Sequence, residues 1–171
     1  IYGEIVTLKY ALANSMNTIT AKLIKDYGTD IVRTTAQNMG ITSNVPNVPS
    51  IALGVAELSL YEMVAANAAL ANGGVYIEPS YIVRIEDKNG NTIYEPELNI
   101  RQGLDEYTAY MTVQMMKGVV DGAYNKELGK RSGTGMRLRM DLKSRDYDGI
   151  SAPMAGKTGT TQNNTDGWFM G

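Results

Sequence analysis

The sequence predicts an α+β fold in which an antiparallel sheet is covered by helices. Three observations predict it: apolar residues recur at helical spacing through the first part of the chain, the period turns to alternation near Tyr81, and two short strand-like runs lie at the end. With 171 residues, 43% of them hydrophobic, the chain is long enough to bury one domain core.

The first element is "LKYALANSMNTITAKLIKDYG". Leu8 and Leu12, then Ile19, Leu23 and Ile24, recur at helical spacing on either side of a polar break at residues 14–17, which reads as helix, loop, helix. Gly28 suits the end of the second helix, and Asp30 is suited to cap a third that runs toward Met39 before Gly40 stops it. "ITSNVPNVPSIALG" has the composition of a loop. In "SLYEMVAANAALANGG", Ser59 and Glu62 stand at capping-box spacing, Leu60, Val64 and Ala68 share a stripe, and Asn72-Gly73 marks the stop.

Beyond that helix, Tyr81, Val83 and Ile85 alternate with Ile82, Arg84 and Glu86, as in a strand. Asn89-Gly90 is the preferred pair for a type I′ hairpin turn, with a return strand expected over residues 92–95. Residues 105–120 read as a further helix, with Asp105 and Glu106 at its positive end and Met111, Met115 and Val119 as a core stripe rather than a cofactor box. Residues 121–148 carry seven Lys/Arg against five Asp/Glu and read as a solvated, mixed-charge insertion. "AGKTGTT" and "TDGWFMG" read as two strands joined by a "QNN" turn.

Composition excludes several chemistries. A net charge of −2 and a pI near 5.2 give no general pull toward phosphate backbones, so nucleic acid is not an expected partner. Zero Cys and zero His remove thiolate nucleophiles, Ser-His-Asp relays and Cys/His zinc sites, and no cofactor or metal is expected. Proton transfer would have to run through Lys, Tyr, Ser or carboxylates.

Two short stretches are candidates for such chemistry. A strand reading Gly156-Lys157-Thr158-Gly159-Thr160 has weak strand propensity and little to pack, but it lets a peptide backbone come close. Its hydroxyls and ammonium suit a carboxylate, whereas the plain alternative is a surface strand with a solvated Lys. The second stretch, Ser15-Met16-Asn17, lies on the break between two helices. Ser and Asn are also favoured helix caps, and on this stretch alone capping of the following helix is the favoured reading.

Taken together, "SMN" and "KTG" resemble two of the three motifs, S-x-x-K, S-x-N and K-T-G, of the penicillin-recognising serine transferases and hydrolases. "LKYALANSMNTITAKLIKDYG", "PSIALGVAELSLYEMVAANAALANGG", "VRIEDKNGNTIYE" and "MAGKTGTTQNNTDGWFMG" resemble the transpeptidase domain of class A, bifunctional penicillin-binding proteins. Met16 stands where class A β-lactamases would usually carry Asp. The resemblance implies a β-lactamase/transpeptidase-like α+β fold at the extracytoplasmic face of a bacterial membrane, with the anchor outside the chain. It also implies acylation by β-lactams and cross-linking of peptidoglycan stem peptides that end in D-Ala-D-Ala. Ser15 would relay a proton, Asn17 would bind the substrate's peptide carbonyl, and Lys157 would orient Ser15. Thr158, Gly159 and Thr160 would hold the terminal carboxylate, with the Thr160 N–H forming half of an oxyanion hole.

No Ser in the chain has Lys three residues later, so the S-x-x-K nucleophile is absent from it. Residues 1–171 are accordingly expected to be an interior part of one transpeptidase domain, working with an upstream segment of the same polypeptide and continued by a further strand and helix. A D,D-carboxypeptidase or β-lactamase, which passes the acyl group to water, and a non-catalytic β-lactam sensor of the same fold are the alternatives. An upstream S-x-x-K preceded by a glycosyltransferase module would select the class A transpeptidase.

Overall fold

The computed structural model describes residues 5–141, 146–160 and 167–171. Helices α1 (Leu8–Ala13), α2 (Asn17–Tyr27), α3 (Asp30–Asn38) and α4 (Leu60–Ala71) precede α5 (Glu106–Asp121), with 3-10 turns at Pro49–Leu53 and Met136–Arg139. The strands form four antiparallel pairs among the described residues. These are β1 (Val75–Ile77) with β4 (Ile100–Gln102), β2 (Ile85–Glu86) with β3 (Thr92–Tyr94), β5 (Ala123–Asn125) with β6 (Lys130–Ser132), and β7 (Lys157–Thr160) with β8 (Gly167–Met170). The α+β class is as the sequence predicts. The expected "QNN" turn lies outside the described residues.

Helix α5 is the frame on which both ends of the chain are mounted. Val119 and Val120 are fully buried, and α1, β6, β7 and the second 3-10 turn all pack against this helix. Its N-terminus is capped by Asp105, whose carboxylate accepts from Thr108 N at 2.9 Å, one position outside the expected start. The Met stripe differs from expectation: Met116 is buried, while Met111 is exposed and Met115 half-buried. The buried face runs through Ala109, Met116, Gly118 and Val119–Val120, because small residues let α1 lie close. A Cβ on Gly118 would stand 3.2 Å from the stem of Lys9 in α1.

Helix α4 has the expected capping box. Ser59 Oγ accepts from Glu62 N, and the Glu62 carboxylate accepts from Ser59 N at 3.0 Å. The expected stripe is corrected, however: Leu60, Val64 and Ala68 are exposed, and Glu62, Ala65 and Ala69 face inward. Apolar residues surround most of this helix, so periodicity does not single out a face; the smooth alanine side meets Met39 and Tyr76. Glu62 is buried because donors meet it there. Its carboxylate accepts from Thr42 N (2.8 Å), Thr42 Oγ1 (3.0 Å), Ser43 N (2.7 Å), Ser43 Oγ (2.8 Å) and Ser59 Oγ (2.7 Å), besides Ser59 N. The bonds from Ser59 and Ser43 hold its carboxyl well below the usual carboxylate range.

Three further expectations are corrected. Thr29, not Asp30, is the N-cap of α3, and Asp30 instead lies 3.4 Å from Arg33. The alternating run is strand only at Ile85–Glu86; Tyr81 and Val83 are 89% and 86% exposed, with no partner strand beside them among the described residues. The hairpin turn is not type I′, since Gly90 is in the left-handed region (φ 84°) but Asn89 is not. Asp87 organises it instead, its carboxylate accepting from Asn89 N at 2.8 Å and Asn91 N at 2.9 Å.

Candidate active site

Helix α1 ends at Ala13 with Asn14 as its C-cap, and the chain turns sharply into α2. Ser15 takes up that turn at φ 50°, in the left-handed region that costs a non-glycine residue about 1 kcal/mol or more. The C-cap side chain is tied on both sides: Asn14 Nδ2 donates to Tyr10 O at 2.9 Å and Ser132 O at 3.4 Å, and Ser132 Oγ donates to Asn14 Oδ1. Met16 is the N-cap of α2, with no side-chain cap bond. Neither Ser15 nor Asn17 therefore performs the capping that their residue types allow. Both side chains are exposed, and that of Asn17 makes no hydrogen bond among the described residues.

On the opposite side, β7 pairs with β8 so that Lys157 faces Met170, Thr158 faces Phe169, Gly159 faces Trp168 and Thr160 faces Gly167. The strand is docked on α5 through Gly156, whose N–H donates to Met116 O at 3.5 Å. A Cβ on Gly156 would stand 2.5 Å from the Phe169 ring, so only glycine lets the strand lie this close. Gly159, by contrast, has open space beside it, the nearest atom being Trp168 Cβ at 3.8 Å. The other edge of β7 has no strand partner among the described residues.

These two arms converge. Lys157 Nζ donates to Ser15 Oγ at 2.6 Å and to Thr158 O at 2.6 Å. The ammonium is half-buried, and burial lowers its pKa below the ordinary Lys value. A serine hydroxyl that accepts from a half-desolvated cation keeps its own proton free to donate elsewhere and keeps a second lone pair free to accept. Thr158 is half-buried, while Gly159 and Thr160 are exposed along the same strand.

The solvated-insertion reading of residues 121–148 missed a residue of this cluster. The base of that stretch is folded: Ala123 and Asn125 are buried in the β5–β6 hairpin, and Arg139 donates to the Ile150 carbonyl and to Asp121. Directly after β6, Thr134 brings Oγ1 within 2.6 Å of Thr158 Oγ1. The signal present in the sequence is "SGTG", a Thr followed by Gly as Thr158 is in "KTGT".

Helices packed on antiparallel strands, with S-x-N on the helical arm and K-T-G on the strand arm, define a penicillin-recognising class of domain. The chain belongs to the penicillin binding protein transpeptidase domain family, which matches residues 1–171. It is 40% identical over 166 residues to penicillin-binding protein 2D of Bacillus subtilis, covering 97% of this chain and 22% of that protein. It is 34% identical over 170 residues to penicillin-binding protein 1B of Vibrio cholerae, covering 99% and 20%. The chain thus spans about a fifth of the length of these relatives. Among solved structures, the fold superposes on penicillin-binding protein 1A from Haemophilus influenzae with a TM-score of 0.79 at 21% identity, over 96% of this chain and 28% of the other. An imipenem acyl-enzyme complex of penicillin-binding protein A from M. tuberculosis matches with a TM-score of 0.72 at 18% identity, over 98% and 39%. Among the described residues, no helix is long and apolar enough to cross a membrane.

Proposed function

We propose that this chain supplies the proton-relay and carboxylate-recognition face of a serine D,D-transpeptidase that cross-links peptidoglycan stem peptides and is acylated by β-lactams. The observation that carries the reading is the 2.6 Å bond between Lys157 and Ser15, which joins the two family motifs in one site. No Ser of the chain has Lys at the third position after it, so the nucleophile is a serine elsewhere in the polypeptide. Residues 1–171 then act as one part of a single transpeptidase domain. In keeping with this, the enzyme works at the extracytoplasmic face of the membrane through an anchor outside these residues.

In this mechanism the nucleophile attacks the carbonyl of the penultimate D-Ala, the C–N bond to the terminal D-Ala breaks, and an acyl-enzyme forms. The proton that the nucleophile's hydroxyl gives up reaches the leaving nitrogen through Ser15, which takes up one proton as it passes one on. Lys157 fixes the Ser15 hydroxyl and adds positive potential in a site without imidazole. The amide of Asn17 donates to the substrate's peptide carbonyl, and Thr158 and Thr160 receive the terminal carboxylate beside the open strand at Gly159. The Thr160 N–H contributes half of the oxyanion hole. An acceptor amine on a neighbouring stem peptide then displaces the enzyme serine.

The test is peptide mapping of the complete polypeptide after reaction with a fluorescent penicillin. The expected adduct lies on a serine outside these 171 residues. An adduct on Ser15 would make it the nucleophile and overturn its assignment as relay; a polypeptide that takes up no label would overturn the transpeptidase reading.

A further inference from the structure

The segment after β6 touches both arms of the site at once. Thr134 N donates to Ala13 O at 2.9 Å, immediately before the Asn14–Ser15 turn. Gly135 N donates to Val119 O at 2.8 Å, and a Cβ on Gly133 would stand 2.5 Å from Gly118 O, so the backbone is wedged between α1 and α5. Ser132 adds its bonds to the Asn14 side chain. The position of Thr134 is thus fixed from three sides by backbone groups, while its side chain is exposed on the face of β7. There its hydroxyl meets that of Thr158 at 2.6 Å.

Two hydroxyls at that distance share one proton, which leaves one O–H directed outward from the pair. A hydroxyl that is already accepting a hydrogen bond is a stronger donor than an isolated one. The geometry points to Thr134 as a specificity-determining partner of Thr158: the two hydroxyls act as one donor unit for the anionic carboxylate beside the bond that is cleaved. This rests on the proposed transpeptidase function and adds to it a residue from outside the S-x-N and K-T-G motifs. Thr134 acts on a ligand's carboxylate through Thr158, so its removal weakens recognition of the anion and leaves the Ser15–Lys157 pair in place.

The experiment compares acylation of the complete polypeptide by benzylpenicillin and by its methyl ester, in the parent and in Thr134→Val and Thr134→Ser. Loss of one hydroxyl from a charged-acceptor pair lowers the second-order acylation rate by the free acid about 10-fold in Thr134→Val. The ester, which has no anion to recognise, changes by less than about 2-fold, and Thr134→Ser returns the free-acid rate to within about 2-fold of the parent. If the valine variant does not fold, Thr134→Ala carries the same comparison without added bulk. Equal losses with acid and ester, an unchanged acid rate, or a serine variant as slow as the valine variant each overturn the inference. A parent that neither compound acylates overturns the proposed function itself, which distinguishes that failure from normal parent acylation with unaffected variants.

Discussion

Lys157 Nζ stands 2.6 Å from Ser15 Oγ although 142 residues separate them in the chain. The contact is made between the left-handed turn that ends α1 and the glycine-docked strand β7, and both arms rest on α5. Neither arm alone holds a site; their convergence does.

The first prediction concerns the cation. Lys157→Ala in the complete polypeptide is expected to slow β-lactam acylation by on the order of 10²-fold, the scale of removing one preorganised electrostatic partner. The melting midpoint should stay within about 2 °C of the parent, because the side chain is only half-buried. Stopped-flow kinetics with a chromogenic cephalosporin make the measurement, and equal rates would mark Lys157 as surface charge.

The second concerns its titration. Burial lowers the Lys157 pKa from the ordinary 10.5, so the ammonium loses its proton at a lower pH than a free Lys. Acylation should therefore fall on an alkaline limb whose midpoint lies below 10.5. Lys157→Arg, whose guanidinium stays charged, should move that limb upward even if the absolute rate drops. A limb at the same pH in both proteins would assign it to another group.

A third follows from Glu62. Its folded pKa lies below the unfolded value of 4.5, so the stability that it contributes is fully present above about pH 4.5 and is lost as pH falls further. Glu62→Gln turns an NH₂ donor toward N–H and O–H donors on Thr42, Ser43 and Ser59. It should lower the melting midpoint at pH 7 by on the order of 5 °C or more and flatten the acid side of the stability curve. Thermal melts between about pH 2 and pH 7 check both. Parallel acid limbs in variant and parent would place the acid sensitivity elsewhere.

The fourth tests the frame. Val119 has no exposed surface, and Val119→Ala should cost about 2 kcal/mol in urea unfolding through lost burial and a small cavity. A loss under about 0.5 kcal/mol would mean that α1 and the segment after β6 close over the gap.

Local chemistry was legible in the sequence at α4 and at the two motifs, and misread at the α3 cap and at the Asn89-Gly90 turn, where Asp87 supplies the organising carboxylate. Ser59 and Glu62 wrote the capping box of α4, and the S-x-N and K-T-G motifs named the two arms of the site. Legibility failed where a partner from elsewhere in the fold decided. Ala65 rather than Val64 faces the core because Tyr76 and Met39 need a smooth surface. Thr134 was hidden for a related reason: the charge around it suggested solvent, whereas its position is set by carbonyls of α1 and α5 that no local pattern records.

Those anchor points on α5 have a geometric consequence. Gly156 bonds to Met116 O and Gly135 to Val119 O, three residues apart on one helix, while Thr134 bonds across to Ala13 and meets Thr158. The site is thus triangulated, as a braced truss is. A rigid displacement of α5 carries every vertex with it and leaves the Ser15–Lys157 separation unchanged. A change in the helical twist between Met116 and Val119, which moves one anchor relative to the other, alters that separation. Core substitutions that shift α5 as a body should consequently lower stability well before they lower the acylation rate, so the two properties can drift independently under mutation.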